Sequence, residues 1–386
     1  MPEIAEKYTH TATARLLIAA SEHDADMLYI SGLFVPDPFI AIEIHGAWHG
    51  LLSPLEVDRA RKDSRFEHVH IDSPWREKAE EYGWETGLAS IAAAFLQEQG
   101  VQHLQVPGTF PLHFADQLRD RGFSVQAVKG TLFPERAIKS DMEIKQLRKA
   151  ERLTRQAMCA AESFLREATI DNHDFLRHAH VSGRVKSAHL RAVIETFLIA
   201  RGAIPSHTIV ACGRQAADPH QIGHGFLKAH QPIIIDIFPR LVSSGYWGDM
   251  TRTYVKGKAS TDIKKLYRTV REGQDIGLSM VADGQSGARI HQTIQAHFTA
   301  CGFVTGVKRG KQIGFFHGTG HGVGLDIHEQ PRISVRDDTL RAGQVVTVEP
   351  GLYYPGLGGV RLEDMVVVRK NGCDNLTRHR RKLEID

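Results

Sequence analysis

Short apolar runs separated by turn residues mark the first third of the chain. Met27–Gly32, Phe39–Ile44 and Val101–Val106 predict strands, while Pro74–Gln99 carries the spacing of helix. Together they predict a small α/β domain on a mixed sheet. A break falls at Pro134–Ser140, and beyond it Asp141–Ala168 predicts a long amphipathic helix. Ile144, Leu147, Ala150, Leu153 and Ala157 share its apolar face. Ser140 followed by Glu143 has capping-box spacing and marks the helix start. Further on, helical stretches over about Ser187–Gly202, Ser260–Ala282 and Gly287–Gly302 alternate with Gly-flanked apolar strands at Ile233–Phe238, Val345–Val348 and Met365–Val368. The pattern predicts two domains, at 1–135 and 141–386, the second an α+β arrangement with antiparallel sheet.

Composition changes this picture little. With 386 residues, 42% hydrophobic and 24% charged, the chain sits near the globular average, which excludes wholesale disorder and fibrous folds. A net charge of +3 argues against a dedicated nucleic-acid binder. Cys159, Cys212, Cys301 and Cys373 stand far apart and read as idle or buried thiols in a reducing compartment. The N-terminal stretch lacks a basic head, and Leu16–Ala20 is too short for a signal core or a membrane span. The expectation is a cytoplasmic protein with no membrane or nucleic-acid partner.

Several familiar chemistries lack their residues. His328-Glu329 is not followed by a second zinc histidine, because position 332 is Arg and Pro331 breaks any helix. The glycines of His317–Gly324 do not fit the dinucleotide fingerprint, and Gly310-Lys311 lacks the upstream glycine of a phosphate loop. Gly284-Gln285-Ser286-Gly287 continues with Ala288, so there is no nucleophile elbow.

What stands out is acidic residues in apolar surroundings. Asp236 interrupts the run Ile233–Phe238, Asp249 follows in GYWGDMTRT, Glu349 ends VVTVE, and Glu363 sits in GVRLEDM. A lone buried carboxylate costs several kcal/mol or takes up a proton, so each needs a partner. A turn around Pro239–Gly245 brings the two aspartates together, and period-two alternation puts Arg361 on the face of Glu363. For any one of these residues, an edge-strand carboxylate meeting a surface cation explains as much. The set of four, with the Gly-rich run from His317 through His321 to His328, does not reduce to that. One imidazole among carboxylates makes an oxygen-dominated site, suited to Mn, Co, Fe or Zn rather than Cu(I) or an iron–sulfur cluster. Four carboxylates balance two divalent ions and leave room for a bridging hydroxide.

In order, spacing and flanks, residues 141–386 resemble the pita-bread metallopeptidases: Xaa-Pro aminopeptidases, prolidases and methionine aminopeptidases. The resemblance implies a dinuclear metal centre, with Mn first, held by Asp236, Asp249, His321, Glu349 and Glu363. It implies catalytic roles for His220, His328 and Glu349, and places His317 and Arg361 on the substrate side. The Asp236–Asp249 spacing is longer than is usual in the family, and Phe238 stands where Gly is common; a longer turn at Arg240–Gly245 accommodates the difference. Residues 1–135, with Leu28-Tyr29-Ile30-Ser31-Gly32, are similar to the creatinase-type domain of the proline-directed members, which are dimers.

The resemblance implies hydrolysis of an N-terminal Xaa-Pro bond in peptides or dipeptides, with the bridging hydroxide as nucleophile and Glu349 relaying a proton. Two rivals remain: a creatinase-like hydrolase of a non-peptide C–N bond, and a non-catalytic pita-bread binding module. Both are expected to lack part of the metal set. Other residues read more plainly. His173, His178 and His180 are expected to face solvent, and Cys212 to be a small buried residue. Tyr246 and Trp247 should pack the aspartate hairpin, and Arg378–Lys382 should be a solvated end.

Overall fold

The computed structural model describes residues 12–386. The first eleven residues, on which part of the leader-segment reading rests, lie outside the described residues. The chain divides into two units, Met1–Pro134 and Glu135–Asp386.

The first unit contains β1 (Ala12–Ala19), α1 (Ala25–Ser31), β2 (Phe39–Ile44), β3 (Ala47–Leu52), α2 (Val57–Asp63), β4 (His68–Ile71), α3 (Ser73–Glu81), α4 (Leu88–Glu98), β5 (Val101–Val106), α5 (Leu112–Asp120) and β6 (Ser124–Ala127). Its strands form one six-stranded sheet in the order β4-β3-β2-β1-β5-β6. β2 is antiparallel to β1 and β3, whereas the outer pairs run parallel, so the sheet is mixed as the sequence predicts. One apolar cluster joins Leu16, Ile40 and Ile42 to the Ala-rich face of α4, and a second joins Leu17, Phe39 and Ala41 to α1. Period-two alternation sends neighbouring strand residues to these opposite faces.

The strand expected at Met27–Gly32 is instead the helix α1. Asp24 accepts the Met27 amide at 2.7 Å and caps its start. Gly32, at φ +67°, takes the left-handed conformation that ends a helix and donates to Leu28 O. Caps at both ends, with Met27, Leu28, Ile30 and Ser31 buried, outweigh the strand-like composition of the run.

The second unit opens with α6 (Asp141–Glu167), β7 (Thr169–Ile170), β8 (Leu176–Arg177), α7 (Ser187–Ile199), β9 (Ala203–Ile204), β10 (Ile209–Cys212), β11 (Ile233–Ile237), β12 (Arg240–Leu241) and β13 (Met250–Lys256). It continues with α8 (Thr261–Met280), α9 (Gly287–Ala300), β14 (Gly306–Lys308), β15 (Lys311–Ile313), β16 (Gly320–Gly322), β17 (Glu329–Ile333), β18 (Val345–Val348), β19 (Gly351–Tyr354), β20 (Gly358–Arg361), β21 (Asp364–Arg369), β22 (Gly372–Asn375) and β23 (Glu384–Ile385). The capping box at α6 is present: Ser140 and Glu143 bond each other's backbone amides.

Two helix pairs each cover a sheet. The face of α6 with α7 buries Leu153, Ala157, Ile194 and Leu198 in the cluster that holds Ile233 and Ile235 of β11. α8 and α9 do the same with Val346 and Val348 of β18 and Val366 of β21. The first sheet runs β10-β11-β13-β23, and the second runs β17-β16-β18-β21-β22. Both are antiparallel apart from the parallel β13–β23 pair. The sheets meet through a buried Arg252, which donates to Asp364 Oδ1 at 2.7 Å and to Glu363 O at 2.7 Å.

The glycines of the Gly-rich run serve strand packing. A Cβ at Gly320 would lie 1.9 Å from Thr347 O, and one at Gly322 would lie 2.3 Å from Gln330 O. They let β16 nestle between β17 and β18. Two expectations need correcting. His178 is buried and stacks on Phe164 at 4.0 Å instead of facing solvent. The stretch between the two aspartates is more than a turn, because Arg240–Leu241 pairs with Ala203–Ile204 before the chain comes back to Asp249. The Arg378–Lys382 run is a solvated end as expected, with Arg378, Arg380 and Lys382 exposed, and Arg380 and Arg381 also meet Glu162 at 2.8 Å and Asp275 at 2.7 Å.

Candidate metal centre

Strand ends supply the carboxylates. Asp236 lies next to last in β11, and Asp249 sits immediately before β13, its antiparallel neighbour. Glu349 follows β18 and Glu363 precedes β21, whose last ladder pair is Val348–Asp364, so the two glutamates stand one step past the same rung. Glu349 N donates to Thr319 O at 2.7 Å, and Glu363 N donates to Thr251 O at 3.1 Å. These bonds fix where the side chains begin.

His321, in the middle of β16, completes the group. Its Nε2 lies 3.6 Å from Asp249 Oδ2 and 3.5 Å from Glu349 Oε1. One ligand atom each from Asp249, His321 and Glu363 falls within 4.8 Å of the others, and all three residues are buried. All five residues line one cavity of about 720 Å³. The same cavity is lined by His220, His317, His328 and Arg361, so every site residue named from the sequence reaches it.

The electrostatics of this group call for a cation. Burial, then the charges of Glu363, Asp236 and Glu349, pushes Asp249 well above the usual carboxylate range. Glu363 is pushed up likewise by burial and by Glu349 and Asp236, against the pull of Arg361. Burial raises Glu349 to about 8, with Arg361 opposing and Asp236 reinforcing. Burial, with His328 beside it, lowers His321 to about 3, so its ring is neutral. Its Nδ1 lies 3.1 Å from Gly322 O, an acceptor only, so the proton sits on Nδ1. Nε2 therefore points a lone pair at two carboxylates. Asp236 Oδ1 is buried with no hydrogen-bond donor at all. Acceptors facing acceptors in a buried space are unfavourable unless something positive lies between them. The donor set of carboxylate oxygens and one imidazole nitrogen fits a hard or borderline divalent ion.

A second network joins Arg361 to His317 beside this group. Arg361 Nη2 donates to Asp236 Oδ2 at 2.7 Å, Nε to Thr251 Oγ1 at 3.2 Å, and Nη1 to Tyr353 Oη at 2.9 Å. The partner of Arg361 is thus Asp236, not the neighbouring Glu363. Glu363 instead accepts from Thr251 Oγ1 at 2.8 Å. Tyr353 Oη lies 2.9 Å from His317 Nε2, and His317 Nδ1 lies 2.7 Å from Gly318 O. With its Nδ1 proton on Gly318, His317 accepts the Tyr353 hydroxyl hydrogen. Burial and Arg361 lower His317 to about 3, which keeps that arrangement neutral on the histidine.

Two residues of this layer escape the sequence reading. Tyr353 is fully buried and bridges His317 to Arg361, yet in GLYY it looks like ordinary strand filling. Glu151 is fully buried in mid-helix, and its Oε2 accepts the Asp249 amide at 3.0 Å. Its only sequence signal is an acidic residue on the apolar face of α6. His220 and His328 are exposed at the open side of the cavity, although the His328 ring still meets His321 edge-on at 4.3 Å. Arg332 and Phe238 also line it. Cys212 is buried, its thiol pushed up to about 11 chiefly by burial. Tyr246 and Trp247 tie the aspartate segment down: Tyr246 Oη donates to Glu143 at 2.8 Å and Trp247 Nε1 to Leu325 O at 2.9 Å.

Comparison with known proteins shows the family and the fold. The Xaa-Pro dipeptidase of Pyrococcus horikoshii is 30% identical over 74% of this chain and 76% of its own length. A putative Xaa-Pro aminopeptidase of Mycoplasma genitalium is 29% identical over 72% of each chain. The solved structure of an Xaa-Pro dipeptidase from Bacillus anthracis superposes with a TM-score of 0.81 at 25% identity, covering 97% of this chain and 95% of that one. The second unit thus has the pita-bread architecture, with its carboxylates gathered at the strand ends. The profile of metallopeptidase family M24 matches residues 145–370, which include all five carboxylate and imidazole donors, and the chain belongs to that family.

Proposed function

We propose that this protein hydrolyses the peptide bond between an N-terminal residue and a following proline, using two divalent metal ions held by Asp236, Asp249, His321, Glu349 and Glu363. The observation that carries the proposal is Asp236 Oδ1, buried without a donor, together with a His321 Nε2 that faces Asp249 and Glu349 among buried carboxylates on the wall of one cavity. Relatives named for Xaa-Pro dipeptidase and putative Xaa-Pro aminopeptidase activity support the substrate class. Mn is the first assignment, with Co, Fe or Zn as alternatives.

Ions in that position supply Lewis acidity toward the scissile carbonyl and a water acidic enough to attack near neutral pH. Glu349, whose side chain keeps 19% exposure toward the cavity, takes the proton of the attacking water at a carboxylate oxygen and passes it to the leaving amine. His220 and His328, at the open side, donate to the developing oxyanion. The substrate's amino end would be held by a metal and its acidic neighbours, which favours exopeptidase action. Arg332 lines the same cavity and offers a cation to the carboxylate of a short peptide. His317 and Arg361, locked through Tyr353, hold the substrate side rigid.

We extend the proposal to the first unit as a creatinase-type domain over 1–135 joined to a catalytic domain at 141–386, and to a cytoplasmic homodimer. Light scattering that gives a monomer mass contradicts the dimer. For the metal proposal, elemental analysis and Xaa-Pro hydrolysis are followed together while chelated protein is reloaded. Activity should return as the metal content approaches two ions per chain. Full activity in metal-free protein contradicts the proposal. Two bound ions without peptide turnover point to a non-peptide amide as the substrate, and failure to bind metal points to a binding module.

A further inference from the structure

A second group of metal-ligating side chains lies away from the cavity, on the helix pair α8–α9. Glu272 of α8 faces His297 and Cys301, which stand one helical turn apart at the end of α9. Glu272 Oε2 lies 3.3 Å from His297 Nε2, and Cys301 Sγ lies 3.8 Å from that same nitrogen. One ligand atom from each residue falls within 4.8 Å of the other two, and all three residues are half-buried. We propose that Glu272, His297 and Cys301 form a site for one zinc-class divalent ion, with water as the fourth ligand.

The distances suit such an ion. Bonds of about 2.0–2.1 Å to nitrogen and oxygen and about 2.3 Å to sulfur, opened to the tetrahedral angle, separate N from O by about 3.3 Å and S from N by about 3.5 Å. The observed 3.3 Å and 3.8 Å need only a small side-chain adjustment. A thiolate, an imidazole and a carboxylate are also the donor types zinc accepts, whereas the oxygen-rich cavity suits harder ions.

The framework holds the group in place. A Cβ at Gly273 would lie 2.5 Å from Phe298 Cε1, so the helices approach closely beside the two residues that precede them, Glu272 and His297. Cys301 is the C-terminal cap of α9, where the unpaired carbonyls of the last turn favour a cation. Arg268 approaches only the other oxygen of Glu272, at 4.0 Å, and its side chain is 66% exposed, so it can swing away. Binding displaces the thiol proton of Cys301 to solvent. The ion ties α9 to α8, whose Gln274 Nε2 donates to Val348 O at 3.2 Å, one residue before Glu349. It thereby braces the strand that carries a catalytic carboxylate.

The test is a cobalt(II) titration of the full chain after saturation with manganese, followed by thiolate-to-cobalt charge-transfer absorption. A centre built only of oxygen and nitrogen donors gives no such band, so the readout is independent of the cavity. The expected result is a band that saturates at one equivalent, is bleached by zinc, and is absent in Cys301→Ser. Cys159→Ser, which removes a thiol 3.9 Å from His379, should behave like the parent. Glu272→Gln and His297→Gln keep the thiol and should weaken cobalt binding by about ten-fold or more. No band at millimolar cobalt, or a band that persists in Cys301→Ser, overturns the proposal. So does unchanged affinity in both Gln variants.

Discussion

Two atoms, Asp236 Oδ1 and His321 Nε2, decide how the cavity is to be understood, because the first is buried without a donor and the second faces two carboxylates. Glu363→Gln separates the consequences. In chelator the variant should melt higher than the parent, since it removes one of several like charges buried together. In metal it should lose at least about 100-fold in kcat/KM, beyond what loss of an outer-shell partner costs. A variant that melts lower in chelator and keeps its activity contradicts a metal-ligand role. Tyr353→Phe tests the second network: His317 Nε2 and Arg361 Nη1 each lose a buried partner, at a cost of about 1–3 kcal/mol for each group left unsatisfied. Denaturant unfolding should show that loss, and kcat/KM should fall with it; unchanged values would sever Tyr353 from the site. The carboxylates were legible in the sequence because a charge in an apolar run is conspicuous. Tyr353 and Glu151 were not, since a tyrosine in a strand and a glutamate in a helix are ordinary until their burial and partners are known.

At the scale of elements, close approach decides more than propensity. Gly320 lets β16 lie against β18, and Gly320→Ala drives a methyl into Thr347 O. The variant should lose about 1–3 kcal/mol or more of stability, as overpacked sites do, and should bind metal poorly because His321 follows directly. Parent-like melting and metal affinity would show that the strands have slack. The β3–β4 pair makes a pH prediction. His49 lies 3.1 Å from His70 Nε2 and stacks on His68 at 4.6 Å. Burial, then His68 and His70, lowers His49 from 6.5 to about 4, with Glu67 opposing. The unfolded chain therefore takes up a proton over that interval which the fold refuses. Stability from this source is full above pH 6.5 and is lost as the pH falls toward 4. His49→Gln should show a smaller drop in melting temperature between pH 7 and pH 5 than the parent. An equal or larger drop would place the acid sensitivity elsewhere. The long helix α6 was readable from apolar periodicity and its capping box. α1 was misread because its run is short and strand-like, and only Asp24 and Gly32, acting as caps, decide for helix.

For the whole molecule, the second unit works as a frame in which two helix-covered sheets deliver strand ends to one cavity. That plan was legible from the order of apolar strands and acidic interruptions. The excursion between Asp236 and Asp249 was not, because Arg240–Leu241 finds its partner at Ala203–Ile204, far back in the chain. Metal-dependent cleavage before proline is decided by one assay. Chelated protein is resupplied with Mn, Co or Zn and offered Xaa-Pro dipeptides, Xaa-Pro-Yaa tripeptides and Met-Ala-Ser. The expected result is cleavage of the proline peptides only when metal is present, with the dipeptide-to-tripeptide ratio separating dipeptidase from aminopeptidase action. No turnover of any of these peptides by protein carrying two ions per chain would contradict it.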